Sequence, residues 1–312
     1  MTELKLRYPV HTLDGQLLLP EDTVLLAVTM DEMIYSGEDT SYPTLSLLTH
    51  GTIRQDLVDS LLKDPYRVIF DSEKKAFDLL DFMEKTKTIL PTLDSLNYFK
   101  HYDSYTYFHI LKVFALSTLL SQFLVKDYQD LMRESMAGPI HDFGKICIPL
   151  EVLKKTAPLT REERSIIEHH TMAGYVLLSY YLKDPRSFLA RVAKEHHERR
   201  DGSGYPLGIA VTDQMLEIIM VSDIYDALIS ARPYRGTAYD NRTALEEITK
   251  MATEGKLGWD VVKALVACNR SAKPHYKECI VSTEVRGNPP RDNRYGVIAE
   301  EDSQIVVVKK LT

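Results

Sequence analysis

The chain has 312 residues, 44% hydrophobic and 27% charged, an ordinary globular composition with room for a sizeable core and for two domains. Its net charge of −7 argues against a nucleic-acid polymer as partner, because such binders present a basic face, but it leaves room for a small basic pocket and a small anionic ligand. No apolar run reaches the roughly 18 residues of a membrane span, and Met1 to Val10 lacks the apolar stretch of a signal peptide; the expectation is a cytoplasmic protein with no membrane partner.

In chain order, residues 1–95 read as a small α+β regulatory or partner domain. Gln16 to Leu19 and Thr23 to Val28 are short apolar runs that predict strands, with a turn at Asp14-Gly15 just ahead of them. Arg54 to Leu62 and Ser72 to Lys87 predict helices, and no catalytic constellation is visible in this region. Pro91 marks the junction. Residues 96–285 are nearly all helical in pattern, with segments over roughly 104–125, 127–143, 161–182, 185–199, 213–231, 241–254 and 258–271. Thr160 with Glu163 has the spacing of a capping box, and Gly202, Gly204 and Pro206 break the helical pattern into a loop. Residues 286–312 form a tail. Asn288-Pro289-Pro290 interrupts it, and two strand-like runs, 295–299 and 304–308, predict a C-terminal β-hairpin. Cys147, Cys268 and Cys279 have no metal-like spacing and read as reduced, mostly buried thiols.

The histidines carry the chemistry. Of ten, seven lie between His101 and His197, and five of those sit in His-Asp or His-His doublets. His141 and Asp142 can reach one metal ion or, since a carboxylate has two oxygens, bridge two; alone, such a pair is as readily a capping dipeptide. Lys145 follows in His141-Asp142-Phe143-Gly144-Lys145. A cation beside two metals is useful if an anion binds there; otherwise Lys145 is a solvated helix-end residue. In His169-His170, His170 is favoured as the ligand, and Gly174 four residues on would let another helix approach its face. His196 and His197 diverge by about 100° on a regular helix and serve one metal most easily where a helix ends. The run Glu195 to Pro206, with Gly202, Gly204 and Tyr205, says that it does end there. Asp223 and Asp226 are three apart and can share a helix face, where buried carboxylates need partners such as metals. Arg232 and Arg235 then lie near the site or cap the helix C-terminus.

Together these motifs resemble the HD-GYP subgroup of HD-domain phosphohydrolases over roughly residues 100–285, and Tyr105 to His109 resembles the upstream segment that ends in a ligand histidine. The resemblance implies a mostly α fold, an HD-type helical bundle. It also implies hydrolysis of cyclic di-GMP to pGpG and, in some members, GMP. By that resemblance His109, His141, Asp142 and Asp223 surround one metal, and Asp142 bridges to a second held by His170, His196 and His197. The metals are iron, with manganese the alternative. Lys145 and Arg232 contact the phosphates, Arg235 is a further substrate contact, and Tyr205 stacks on a guanine or shapes its loop. Glu198 and Asp201 orient ligands or hold the loop.

Three departures stand out. Tyr105 replaces a glutamate that serves a third metal in some members, which predicts two metals here. Ala137-Gly138-Pro139-Ile140 replaces a run of helix formers before the His-Asp pair and threatens to shift His141, at a cost on the order of 3 kcal/mol if it lies mid-helix. Ala231 stands where a polar residue is usual. The competing functions are a nucleotide-binding sensor that signals to protein partners through the N-terminal domain or the GYP loop, and a hydrolase for another phosphoester. The Gly138-Pro139 break favours the former; the GYP loop argues against the latter.

Overall fold

The computed structural model describes residues 4–36, 41–232, 237–291 and 299. The predicted C-terminal hairpin and Arg235 lie outside them, but for Ala299 at the end of the hairpin's first run. The described chain is mostly helical. Strands β1 (Val10–His11) and β2 (Leu17–Leu19) pair antiparallel, and helix α1 (Ala27–Ser36) follows. The strand expected over 23–28 is not formed. Thr23 and Leu25 make single bonds back to Leu6 and Leu4, and the chain then turns into α1, which buries Met30, Met33 and Ile34 at helical spacing. Strand β3 (Thr44–Leu45) pairs with β4 (Thr88–Ile89) around helices α2 (Ile53–Leu61) and α3 (Glu73–Met83). Ser72 caps α3 by accepting from the Lys75 amide.

Helix α4 (Leu90–Tyr102) crosses the boundary expected at residue 95, with Pro91 in its first turn, where a missing N–H costs nothing. It leads into α5 (Ser104–Leu124), capped by Asp103. Helix α5 is long and apolar enough to cross a membrane by length and composition, yet 78% of that window is buried inside the fold. Helices α2, α3 and α4 all pack on it, so the N-terminal region and the rest share one continuous apolar core running from Leu6 to Cys279. Cys268 and Cys279 are buried free thiols within it.

Helix α6 (Tyr128–Ala137) stops short of the predicted end at 143 and passes into a 3-10 turn, Gly138–Ile140. A Cβ on Gly138 would lie 2.7 Å from the Phe114 Cα of α5, so only glycine permits this approach. Gly138-Pro139 is therefore a packing device at a helix end, not a mid-helix fault. A second 3-10 turn, Phe143–Cys147, and α7 (Leu150–Leu153) follow. The helix expected over 161–182 is two: α8 (Arg161–Glu168), which begins with the full Thr160–Glu163 capping box, and α9 (His170–Leu182). The remaining helices are α10 (Phe188–Glu195), α11 (Gln214–Ile229), α12 (Asn241–Thr253) and α13 (Trp259–Asn269).

Candidate metal centre

Five elements converge on one buried spot. Helix α5 supplies His109, the turn after α6 supplies His141 and Asp142, and α9 supplies His170 at its first residue. The turn after α10 supplies His196 and His197, and α11 supplies Asp223. The break between α8 and α9 separates the 169–170 doublet. His170 enters the cluster, while His169 packs edge-on against Tyr8, 5.4 Å away. Gly144 lets the 143–147 turn close on α9, where a Cβ would meet the His170 carbonyl and the Gly174 amide. The helix approach expected at Gly174 is made by α10, whose Ala193 Cβ would stand 3.1 Å from a Cβ there, and the 3-10 turn closes on the same glycine through Gly144 at 3.2 Å.

Asp142 sits at the centre, 1% exposed. Its Oδ2 lies 3.4 Å from His109 Nε2 and 3.3 Å from His141 Nε2; its Oδ1 lies 3.4 Å from His170 Nε2 and 3.8 Å from His196 Nε2. One carboxylate therefore faces two histidine sets with separate oxygens. Asp223 Oδ1 stands 3.1 Å from His109 Nε2, and its Oδ2 3.9 Å from His197 Nδ1. Ligand atoms of Asp142, His170, His196 and His197, and those of His109, His141 and Asp142, fall in two groups with all separations within 4.8 Å. Donors bound to one ion at about 2.0–2.2 Å stand roughly 3 Å apart, which this spacing approaches.

The imidazoles are aimed by their other nitrogens. Nδ1 of His141 donates to the Gly138 carbonyl (2.7 Å), that of His170 to Ile167 (2.6 Å), and that of His196 to Val192 and Ala193 (3.0 Å each). His109 Nδ1 instead donates to Asp226 Oδ2 at 2.6 Å. Each bond selects the tautomer that turns an Nε2 lone pair inward. His141 Nε2 is fully buried and makes no hydrogen bond, and the Nε2 atoms of His170 and His196 face each other at 3.3 Å. Buried lone pairs arranged in this way fit a cation between them, so the residues present suit a metal.

The electrostatics agree. Burial disfavours the imidazolium of His196 and His170 and brings them down to about 3 and about 4, so both are neutral and ligand-competent. Burial also opposes protonation of His109, but hydrogen bonds to Asp142, Asp223 and Asp226 outweigh it and raise this group to about 10; these carboxylates draw positive charge to that point. Burial opposes ionisation of Asp142, yet Lys145 and His141 hold its carboxyl well below the usual range. Asp223 is likewise held well below by His109 against the effect of burial.

Of the residues expected to meet substrate, Lys145 ion-pairs with Asp142 Oδ2 at the edge of the cluster. The Arg232 guanidinium lies 5.2 Å over the Tyr105 ring, which stacks on His109 with centroids 6.0 Å apart. Tyr205 stacks on His197 at 4.6 Å. Its loop is held by buried Glu198, which accepts from the Leu207 and Ile209 amides at 2.7 and 3.1 Å, and Asp201 accepts from Ser203. Gly204 presses on the backbone of His197 and Glu198, where a Cβ would stand 2.4 Å from either. Asp226, readable from sequence as a further metal partner, has both oxygens engaged by protein groups and acts by orienting His109. Its helical offset from Asp223 was the available signal. Lys112 and Tyr66, which bond to Asp226, gave none.

A helical core that gathers histidines from four segments around a shared aspartate defines a His/Asp metal-binding domain. The family model described as "HD domain" matches residues 94–261, more than half of the chain, and the chain belongs to that family. Its Gly204-Tyr205-Pro206 loop is the feature in which it resembles the HD-GYP branch. The chain is 32% identical over 225 residues to a cyclic di-GMP phosphodiesterase of Thermotoga maritima, covering 70% of this chain and 59% of that protein. It is 47% identical over 102 residues to the cyclic di-GMP phosphodiesterase response regulator RpfG of Xanthomonas campestris, covering 32% and 27%. It is 36% identical over 136 residues to the 3'3'-cGAMP-specific phosphodiesterase 1 of Vibrio cholerae, covering 43% and 31%. Each match thus spans less than two thirds of the relative's own length.

Proposed function

We propose that this chain is a metal-dependent phosphodiesterase that hydrolyses cyclic di-GMP to pGpG, with GMP as a further product. It would use two divalent cations, iron or alternatively manganese. The observation that carries the reading is the position of Asp142, with Oδ2 toward His109 and His141 and Oδ1 toward His170 and His196. Two cations there supply an activated water and positive charge against a scissile phosphodiester. His109, His141 and Asp223 would hold one, and His170, His196 and His197 the other. Lys145 and Arg232 would steady the negative charge that develops on the phosphoryl oxygens. The Tyr205 ring, seated on His197, offers a flat apolar wall to a base.

The reading is supported by the names of the relatives and by the packing of Gly138 against Phe114. That packing removes the reason to expect a misplaced His141 and with it the main ground for a sensor without turnover. A cyclic guanosine–adenosine dinucleotide is the second substrate to consider, because some relatives are specific for 3'3'-cGAMP.

Protein loaded with Fe²⁺ or Mn²⁺ is expected to convert cyclic di-GMP to pGpG. Chelation should stop the reaction, and His141→Ala or Asp142→Ala should abolish it. Binding of the dinucleotide by loaded wild-type protein without turnover would sink the enzyme reading. Faster turnover of 3'3'-cGAMP in the same assay would move the substrate assignment and leave the chemistry intact.

A further inference from the structure

The Asp226 carboxylate is fully buried and divided between two tasks. Its Oδ2 accepts from His109 Nδ1. Its Oδ1 accepts from three donors, the Tyr66 hydroxyl, the Ser230 hydroxyl and the Lys112 ammonium, each at 2.8 Å. Ser230 and Lys112 come from α11's end and α5, within the helical bundle. Tyr66 comes from the N-terminal region, in which the sequence displayed no chemistry.

Tyr66 is placed firmly. It opens a 3-10 turn, Tyr66–Val68, and its carbonyl accepts from the Ile69 and Phe70 amides at 2.8 and 3.0 Å. Ile69 and Phe70 are themselves fully buried. Lys75 of α3 donates to the Ile69 carbonyl, and Lys273, beyond α13, donates to Val68. The ring stands edge-on to Tyr225 with centroids 6.2 Å apart, and the Lys112 ammonium lies 5.7 Å from its centroid. A tyrosine so buried is costly unless its hydroxyl is bonded, and the bond it makes is to the one carboxylate that aims His109.

We propose that Tyr66 is a positioning residue of the metal centre: through Asp226 it sets the orientation of His109, so that the N-terminal region determines how tightly the cation on the His109 side is held. The proposal rests on reading His109 as a metal ligand. The partner that orients a ligand histidine commonly changes metal affinity about 10–100-fold when removed. Tyr66 is one bond further out, and Lys112 and Ser230 remain, so a smaller effect follows. The histidines that face Asp142 Oδ1, His170 and His196, are aimed by backbone carbonyls that Tyr66 does not touch.

The test is a Mn²⁺ titration of the metal-stripped full chain, wild type against Tyr66→Phe, read by calorimetry and by the spin resonance of bound Mn²⁺. The ring and its packing persist in the variant, and circular dichroism checks that it is folded. Expected is a roughly 3–10-fold weakening of one Mn²⁺ site with the other within twofold. In an Asp226→Asn background Tyr66→Phe should change nothing further. An unchanged isotherm, equal weakening of both sites, or the same effect of Tyr66→Phe in both backgrounds overturns the proposal while the ligand reading stands. Wild-type protein that takes up no Mn²⁺ overturns the ligand reading and the proposal with it.

Discussion

The two sides of Asp142 are built differently. On the Oδ1 side, His170 and His196 are aimed by carbonyls three or four residues earlier in their own chain segments. On the Oδ2 side, His109 is aimed by a side chain 117 residues away, which in turn bonds to Tyr66, Lys112 and Ser230. A local backbone carbonyl cannot be mutated and moves only if the helix end moves. A remote carboxylate can be lost by one substitution and feels every element that bonds to it. His170 and His196 are therefore set by local helix-end geometry; on the Oδ2 side His141 is set the same way by the Gly138 carbonyl, but His109 depends on tertiary packing, and that makes this the half open to adjustment.

This contrast can be broken from either side. The largest effect is expected for Gly144→Ala, whose Cβ would meet the His170 carbonyl at 1.9 Å and the Gly174 amide nitrogen at 2.3 Å. The 143–147 turn must then back away from α9, at a cost of about 1–3 kcal/mol or more. A lower thermal midpoint together with weakened Mn²⁺ binding at the Oδ1 side checks it; wild-type behaviour would show that this close approach is unimportant. Next is Asp226→Asn, expected to weaken the Oδ2-side cation about 10–100-fold while sparing the other. Equal loss at both sites in a metal titration would erase the distinction drawn above. The smallest effect is expected for Glu198→Gln, which removes the charge that accepts the Leu207 and Ile209 amides but keeps an acceptor. Loosening the Tyr205 loop by about 1 kcal/mol should raise KM roughly fivefold with kcat little changed. A fall in kcat with KM unchanged would instead assign Glu198 to the reacting groups.

Much of this could be read in one dimension. Helices α5, α11, α12 and α13 begin and end within a few residues of the apolar pattern, because their faces are buried along their whole length. The capping box at Thr160 and the end of α10 at the second doublet were equally legible, since both are local. The errors fall where distant contacts override local signals. Pro91, read as marking a junction, lies in the first turn of α4, and Thr23–Val28 reads as a strand but leads into α1, because packing on the shared core decides both. Gly138-Pro139 reads as a fault until Phe114 is seen beside it.

The sequence by itself determined which side chains can ligate and that they come in doublets at helix ends, since donor chemistry and helix periodicity are properties of residues and short spacings. Only the tertiary structure gave the directions: which oxygen of Asp142, expected to bridge, faces which histidines, what His169, passed over as a ligand, packs against, and how Tyr66 reaches Asp226. Those facts depend on the direction in which side chains from separate elements meet, and no local spacing encodes a direction between residues that the fold alone makes neighbours.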